Sequence, residues 1–426
     1  MFSLIESLAG RDEFAHVISK TPEDSHFPLA LTCRAAHKQV SILYKNQKKE
    51  LKTTYSSLAR SVALVKWSMN HVGCVWDPNV SLCAEAAKVG NLTLLKVARM
   101  NGYPWNEDTC AYAALGGHLS VLQWVRDKDC PWDERTCRWA AQKNHLSVLK
   151  WAIENDCPWH CGTCNIAARE GHLDALKYAY DNYGEINFMT CCFAAEGGQI
   201  HILKWLFEKG CEKSSEIYNS ASDIRVLRWL RENGCPLKSS TCASAARDGN
   251  LGKLRFLHEN GCPWDEGTCM FAASEGHLEI IQYAHENGCP WDNYACSSAA
   301  RGGHLDVLRY LHESGCPWDE FACMEAARGG NTACIQYAHE HGCPWDAKTC
   351  WWAAVEGHFE VLKYAHENGC PWDASVTVNA AARGDLEMLQ YAHERGCPWN
   401  SHTFQCAAKS KNSRVYHYVC DNGCPQ

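Results

Sequence analysis

Residues Asp265 to Trp291 read DEGTCMFAASEGHLEIIQYAHENGCPW. Asp265 stands where a helix N-cap is wanted, its carboxylate able to accept from free backbone N–H groups, and Thr268 three residues on supports the same turn. Cys269, Ala272 and Ala273 follow at i, i+3 and i+4, so three small side chains share one helix face and let another helix approach closely. Gly276 ends that helix. Leu278, Ile280, Ile281 and Ala284 then form a wide apolar stripe, and Asn287-Gly288 with Pro290 two residues beyond is a second helix C-terminus. No run alternates apolar and polar residues at period two, so the stretch predicts two helices and no strand.

The same phrase recurs with its loop cysteine at 262, 289, 316, 343 and 370, each step 27 residues. Upstream the period passes through Cys235, breaks once, and resumes at Cys211, Gly184, Cys157, Cys130 and Tyr103; downstream it reaches Cys397 and Cys424. A second cysteine rides on the lattice at 83, 110, 137, 164, 191, 242, 269, 296, 323 and 350, so with Cys74 in the loop slot before Trp76 the repeat itself accounts for 22 of the 28 cysteines. Two helices of about ten residues cannot bury their apolar faces alone, whereas a stack of such pairs makes one continuous core. The expected fold is therefore an all-α solenoid over residues 58–426, of about 13 units with a leading half-unit, irregular at 211–235. Residues 1–57 stand outside the repeat.

The run AASEGHLEIIQYAHENGC resembles the ankyrin repeat, and the match recurs at Ala113 to Cys130, Ala299 to Cys316 and Ala353 to Cys370. Its front differs, since the family's Thr-Pro-Leu-His becomes Thr-Cys and the unit is shorter than the family's roughly 33 residues. The loss falls where ankyrin repeats carry β-hairpin fingers, so shortened or absent fingers are expected. The resemblance implies a scaffold that binds a protein through its concave face, without catalysis. It also places the residues after each Ala-Ala pair on that face, where Arg169, Arg247, Arg301 and Arg328 vary against Leu115, Gln142, Ser274 and Val355. Tyr294 and Phe321, just after the Asp caps, border it as aromatic anchors.

Two further rows follow the lattice. Ten loop tryptophans, at 76, 105, 132, 159, 264, 291, 318, 345, 372 and 399, are read as packing that covers helix ends in place of the hairpin. His258, His285, His312, His339, His366 and His393 are read as hydrogen-bonding a neighbouring loop, because histidines one repeat apart cannot share a metal. In CPWHCGTC, Cys157 and Cys164 belong to the repeat, which leaves His160 and Cys161 as surplus and favours free thiols over zinc. No metal, cofactor or catalytic residue is expected: Gly-x-Ser-x-Gly, a phosphate loop and a carboxylate pair outside the lattice are all missing.

Near the N-terminus, FPLALTCRAAHK (Phe27 to Lys38) resembles the second half of an F-box, with Phe14, Val17 and Ile18 standing for its first helix. Two readings stay open for residues 1–57, a plain helical cap on the first repeat or an F-box-like segment. The second would make the chain a substrate adaptor of a cullin ubiquitin ligase that holds the linker subunit through residues 1–40. Lys38, Lys45, Lys48, Lys49 and Lys52 read as a solvated helix face. Lys plus Arg at 41 against Asp plus Glu at 49 gives a net charge of −8, which argues against nucleic acid or an anionic membrane as partner. The absence of a long apolar run or a leader pattern points to a cytoplasmic or nuclear protein.

Overall fold

The computed structural model describes residues 81–184 and 186–426. Residues 1–57, with the F-box-like stretch and the basic run, and the leading half-unit around Leu58 to Trp67 lie outside the described residues, as does Trp76. Among the described residues the chain forms 26 helices and no strand, so no hairpin finger is present there. It divides into two compact units, Met1–Glu212 and Lys213–Gln426.

The described residues of the first unit form five helix pairs: α1 (Leu82–Lys88) and α2 (Leu92–Met100), α3 (Glu107–Leu115) and α4 (Leu119–Arg126), α5 (Glu134–Gln142) and α6 (Leu146–Glu154), α7 (Gly162–Glu170) and α8 (Leu173–Tyr183), α9 (Phe188–Glu196) and α10 (Ile200–Glu208). The second unit opens with α11 (Glu216–Ser220) and α12 (Ile224–Glu232). It continues with α13 (Ser239–Arg247) and α14 (Leu251–Glu259), α15 (Glu266–Glu275) and α16 (Leu278–Glu286), α17 (Asn293–Gly302) and α18 (Leu305–Glu313), α19 (Glu320–Gly329) and α20 (Thr332–Glu340). Its last pairs are α21 (Ala347–Glu356) and α22 (Phe359–Glu367), α23 (Ala374–Arg383) and α24 (Leu386–Glu394), α25 (Ser401–Lys409) and α26 (Ser413–Asp421).

The caps work as the sequence predicts. Asp133, Asp265, Asp292, Asp319, Asp346 and Asp373 each accept from the backbone N–H two residues on, which satisfies one of the orphan donors of the first turn. Thr268 does not help its cap. Its side chain is fully buried toward the core, and among the described residues only Thr190 and Thr403, opposite Asn187 and Asn400, close true capping boxes. The first helix ends at a left-handed glycine, Gly276 with φ +79°, a conformation that penalises any Cβ.

Within each unit, first helices stack on first helices more closely than second helices stack on second helices. Side-chain size is the cause. The contact face of α15 is Cys269, Ala272 and Ala273, whereas α16 contributes the larger Ile280 and Ile281, all of them buried. Burying one such aliphatic side chain is worth about 1.5–3 kcal/mol, so the second helices supply most of the apolar burial and the first helices set the spacing. The lattice break shows as a truncation, since α11 has only five residues. Tyr218, fully buried, fills the room that the missing Ala-Ala pair leaves.

Candidate functional site

The turn between the two helices of a repeat is built by the repeat that follows. His118 Nε2 donates to the Lys88 carbonyl at 3.1 Å, and His145, His172, His277, His304 and His358 do the same to Leu115, Gln142, Arg247, Ser274 and Arg328. Where histidine is missing, another side chain donates instead, Gln199 to the Arg169 carbonyl, Asn331 to Arg301, and Arg383 to Val355. These carbonyls end the first helices and have no partner inside their own helix, so each tie satisfies an orphan acceptor. The residues that carry them are the ones that vary after Ala-Ala. The lattice uses only their backbone, which leaves their side chains free to differ.

The structure separates the predicted site residues by environment. Arg247 and Arg301 have side chains more than half exposed, at 54% and 56%. Arg247 lies 3.9 Å from Asp248 and 5.8 Å from the Phe271 ring. Arg328 departs from the solvent placement expected of it: it lies over the Trp352 ring at 4.2 Å and pairs with Glu325 at 3.5 Å. Arg301 reaches the same carboxylate at 3.5 Å, so Arg301 and Arg328 are brought together on Glu325. Arg169, in the first unit, is also only half-exposed and pairs with Glu170 at 3.2 Å and Glu196 at 3.8 Å. Tyr294 and Phe321 occupy the same slot in consecutive repeats and are exposed, Tyr294 at 55%. Sequence reasoning missed Phe188 and Met189, exposed apolar residues at the start of α9; their position just after the Asn187 cap was the available signal.

The tryptophan and histidine rows form one device. His258 stacks on Trp264 at 3.8 Å, and the pattern repeats as His285–Trp291, His312–Trp318, His339–Trp345, His366–Trp372 and His393–Trp399. A tyrosine from the next second helix meets each histidine edge-on, as Tyr337 meets His312 with centroids 5.8 Å apart. The expected bond from these histidines to a loop is therefore corrected. His312, His339 and His393 bond through Nδ1 to the hydroxyls of Tyr337, Tyr364 and Tyr418 on second helices. In the first unit arginine takes the histidine's place, with Arg99 over Trp105 at 4.4 Å and Arg126 over Trp132 at 4.1 Å. Such stacks contribute about 0.5–1.5 kcal/mol each, which makes the loops a structural seam.

None of the 26 cysteines among the described residues is in a disulfide, and most are buried. Burial pushes the Cys83 and Cys235 thiols up to about 11, so they stay protonated and behave as small apolar side chains. His160 accepts from the Gly162 backbone N–H in a local turn, and among the described residues no group of three or more His, Cys, Asp or Glu side chains is placed to hold a metal. No described helix is long and apolar enough to cross a membrane.

A family model for ankyrin repeats (many copies) matches residues 269–312 and 350–393. These segments are ankyrin repeats. The ankyrin matches take in α16 and α17 with most of α15 and α18, and α22 and α23 with most of α21 and α24, whose turns carry the histidine ties of His277, His304 and His358. No curated protein sequence matches the chain. Among solved structures, the ankyrin repeat domain of human ASB11 is 17% identical, covering 43% of this chain and 98% of its own, with a TM-score of 0.37. The pentatricopeptide repeat protein PPR10, in complex with an 18-nt psaJ RNA element, is 13% identical over 99% of this chain and 82% of its own, with a TM-score of 0.33.

Proposed function

We propose that the chain is a non-catalytic scaffold whose ankyrin-type repeats hold a partner protein through the first helices. One observation carries this reading. The side chains that the repeat leaves free, at the helix-end slot of Arg247 and Arg301 and at the post-cap slot of Tyr294 and Phe321, are the exposed ones. Exposed aromatics and arginines are residue types enriched at protein interfaces, whereas Lys, Glu and Ser are depleted there. Arg328 belongs to this surface through its ion pair with Glu325, and on the first unit Arg169 fills the same slot, held by Glu170 and Glu196.

The test is capture of partner from native extract by the full chain and by a Tyr294→Ala, Phe321→Ala, Arg301→Glu triple variant. Capture should fall about tenfold or more, as expected for anchors worth about 2 kcal/mol each, with circular dichroism unchanged. Equal capture by a folded triple variant would place the partner surface elsewhere. The ligase-adaptor alternative rests on the F-box resemblance of FPLALTCRAAHK with Phe14, Val17 and Ile18 before it, and the same extract tests it. Recovery of a linker subunit that disappears on removing residues 1–40 supports it; no linker in the full-length capture removes it.

A further inference from the structure

In eight repeats a first-helix cysteine meets the loop cysteine twenty residues later: 110 with 130, 137 with 157, 191 with 211, 242 with 262, 269 with 289, 296 with 316, 323 with 343, and 350 with 370. In seven of these both thiols are buried; the loop member Cys262, for example, is 4% exposed. The exception is Cys211, which is half-exposed while its partner Cys191 is fully buried. The sequence supplies the reason. Glu212-Lys213 follows Cys211, where the regular loops carry the Pro-Trp whose ring closes over the helix end. The Cys191 thiol donates to the Cys211 sulfur across 2.8 Å. That hydrogen bond holds the Cys211 thiol below its usual range, although burial and the Glu212 charge work against it. Cys262 is also lowered, by Cys242, but it is buried whereas Cys211 is half-exposed.

We propose that Cys191 and Cys211 form an oxidisable dithiol, a modification site that a small hydroperoxide converts to a disulfide while the buried pairs stay reduced. The Cys211 thiolate attacks the peroxide; an S–O bond forms, the O–O bond breaks, and the departing oxygen takes a proton and leaves as water. Cys211 is then a sulfenic acid. The Cys191 sulfur attacks it, the S–S bond forms, the S–O bond breaks, and the thiol proton leaves with the hydroxyl as a second water. Two thiols and one hydroperoxide thus give one disulfide and two waters, or one water and an alcohol for an organic hydroperoxide. Closure needs the sulfurs to approach from 2.8 Å to about 2.05 Å, within the motion of two side chains.

The experiment treats the reduced full chain with limiting hydrogen peroxide and maps it by differential alkylation and mass spectrometry. A 191–211 cross-linked peptide should form at least tenfold faster than any of the seven buried pairs is lost. Cys211→Ser should abolish the cross-link. Cys191→Thr, which copies Thr377 in the same slot of α23, should leave a sulfenic acid on Cys211 that dimedone traps; if that variant does not fold, the half-exposed Cys211→Ser decides alone. The cross-link should persist in Cys192→Ala, which separates Cys191 from its neighbour. Oxidation of the buried pairs at the same rate, Cys211 still alkylatable after peroxide, or a cross-link lost in Cys192→Ala would overturn the proposal.

Discussion

The Thr349 hydroxyl is buried at the start of α21 and has no hydrogen-bond partner within the described residues, a burden of about 1–3 kcal/mol for a desolvated hydroxyl. Val376 fills the corresponding slot of α23, so the site accepts a methyl. Thr349→Val should leave the urea unfolding midpoint unchanged or raise it, by up to about 1 kcal/mol of stability; a loss larger than that would mean the hydroxyl is bonded. Lys253 shows the same cost for a charge. It is 3% exposed, donates to the Asn219 carbonyl at 2.9 Å, and burial pushes its ammonium down to about 8, with Asp248 opposing. Between about 8 and 10.5 the unfolded chain binds the proton that the folded chain has released, so stability rises with pH across that window. Relative to Lys253→Met, the native protein should gain on the order of 2 kcal/mol between pH 7.5 and 9.5 in chemical unfolding. A flat difference would mean that the ammonium keeps its ordinary value.

At the scale of the helix pair, two glycines with one backbone conformation have different neighbours. Gly276 and Gly288 both have φ +79°, but a Cβ on Gly276 would lie 2.4 Å from the His304 ring, whereas nothing lies within 4 Å of one on Gly288. Gly288→Ala should cost about 1–2 kcal/mol from the left-handed backbone alone, and Gly276→Ala clearly more, because it also displaces the His304 tie to the Ser274 carbonyl. Equal losses in thermal unfolding would show that the tie adds nothing. Both helices of this pair were legible from Asp265, the Ala-Ala face and Gly276, since caps and periodicity act within a few residues. The His258 row and the cysteine pairs were not. Trp264 comes six residues after His258 and Tyr283 twenty-five after it, and Cys269 meets Cys289 only once the intervening turn has folded. Such contacts depend on how helices stack, which spacing alone leaves open. The candidate site was half legible for the same reason: the variable slots were visible, but the stacking of Arg328 on Trp352 comes from the next repeat.

Over the whole molecule, protection should follow the lattice and fail at its break. The backbone bonds of the α11 segment, such as Tyr218 N–H to the Ser215 carbonyl and Ala221 N–H to the Tyr218 carbonyl, span only three residues, and few ties reach it from outside, among them Lys253 to the Asn219 carbonyl. Hydrogen exchange should therefore run faster across residues 213–222 than across 266–286, and equal protection would show that the truncated repeat is as tightly held as a full one. The histidine ties also fix an order of events during synthesis. Each carbonyl tied by histidine, from Lys88 to Arg328, waits for a donor thirty residues further along the chain. At translation rates of about 5–20 residues per second that delay is roughly 2–6 s, long compared with helix formation. The first helix of a nascent repeat thus emerges with its last turn untied and is locked only when the next repeat arrives, so these repeats mature as a travelling front that closes one repeat behind the ribosome.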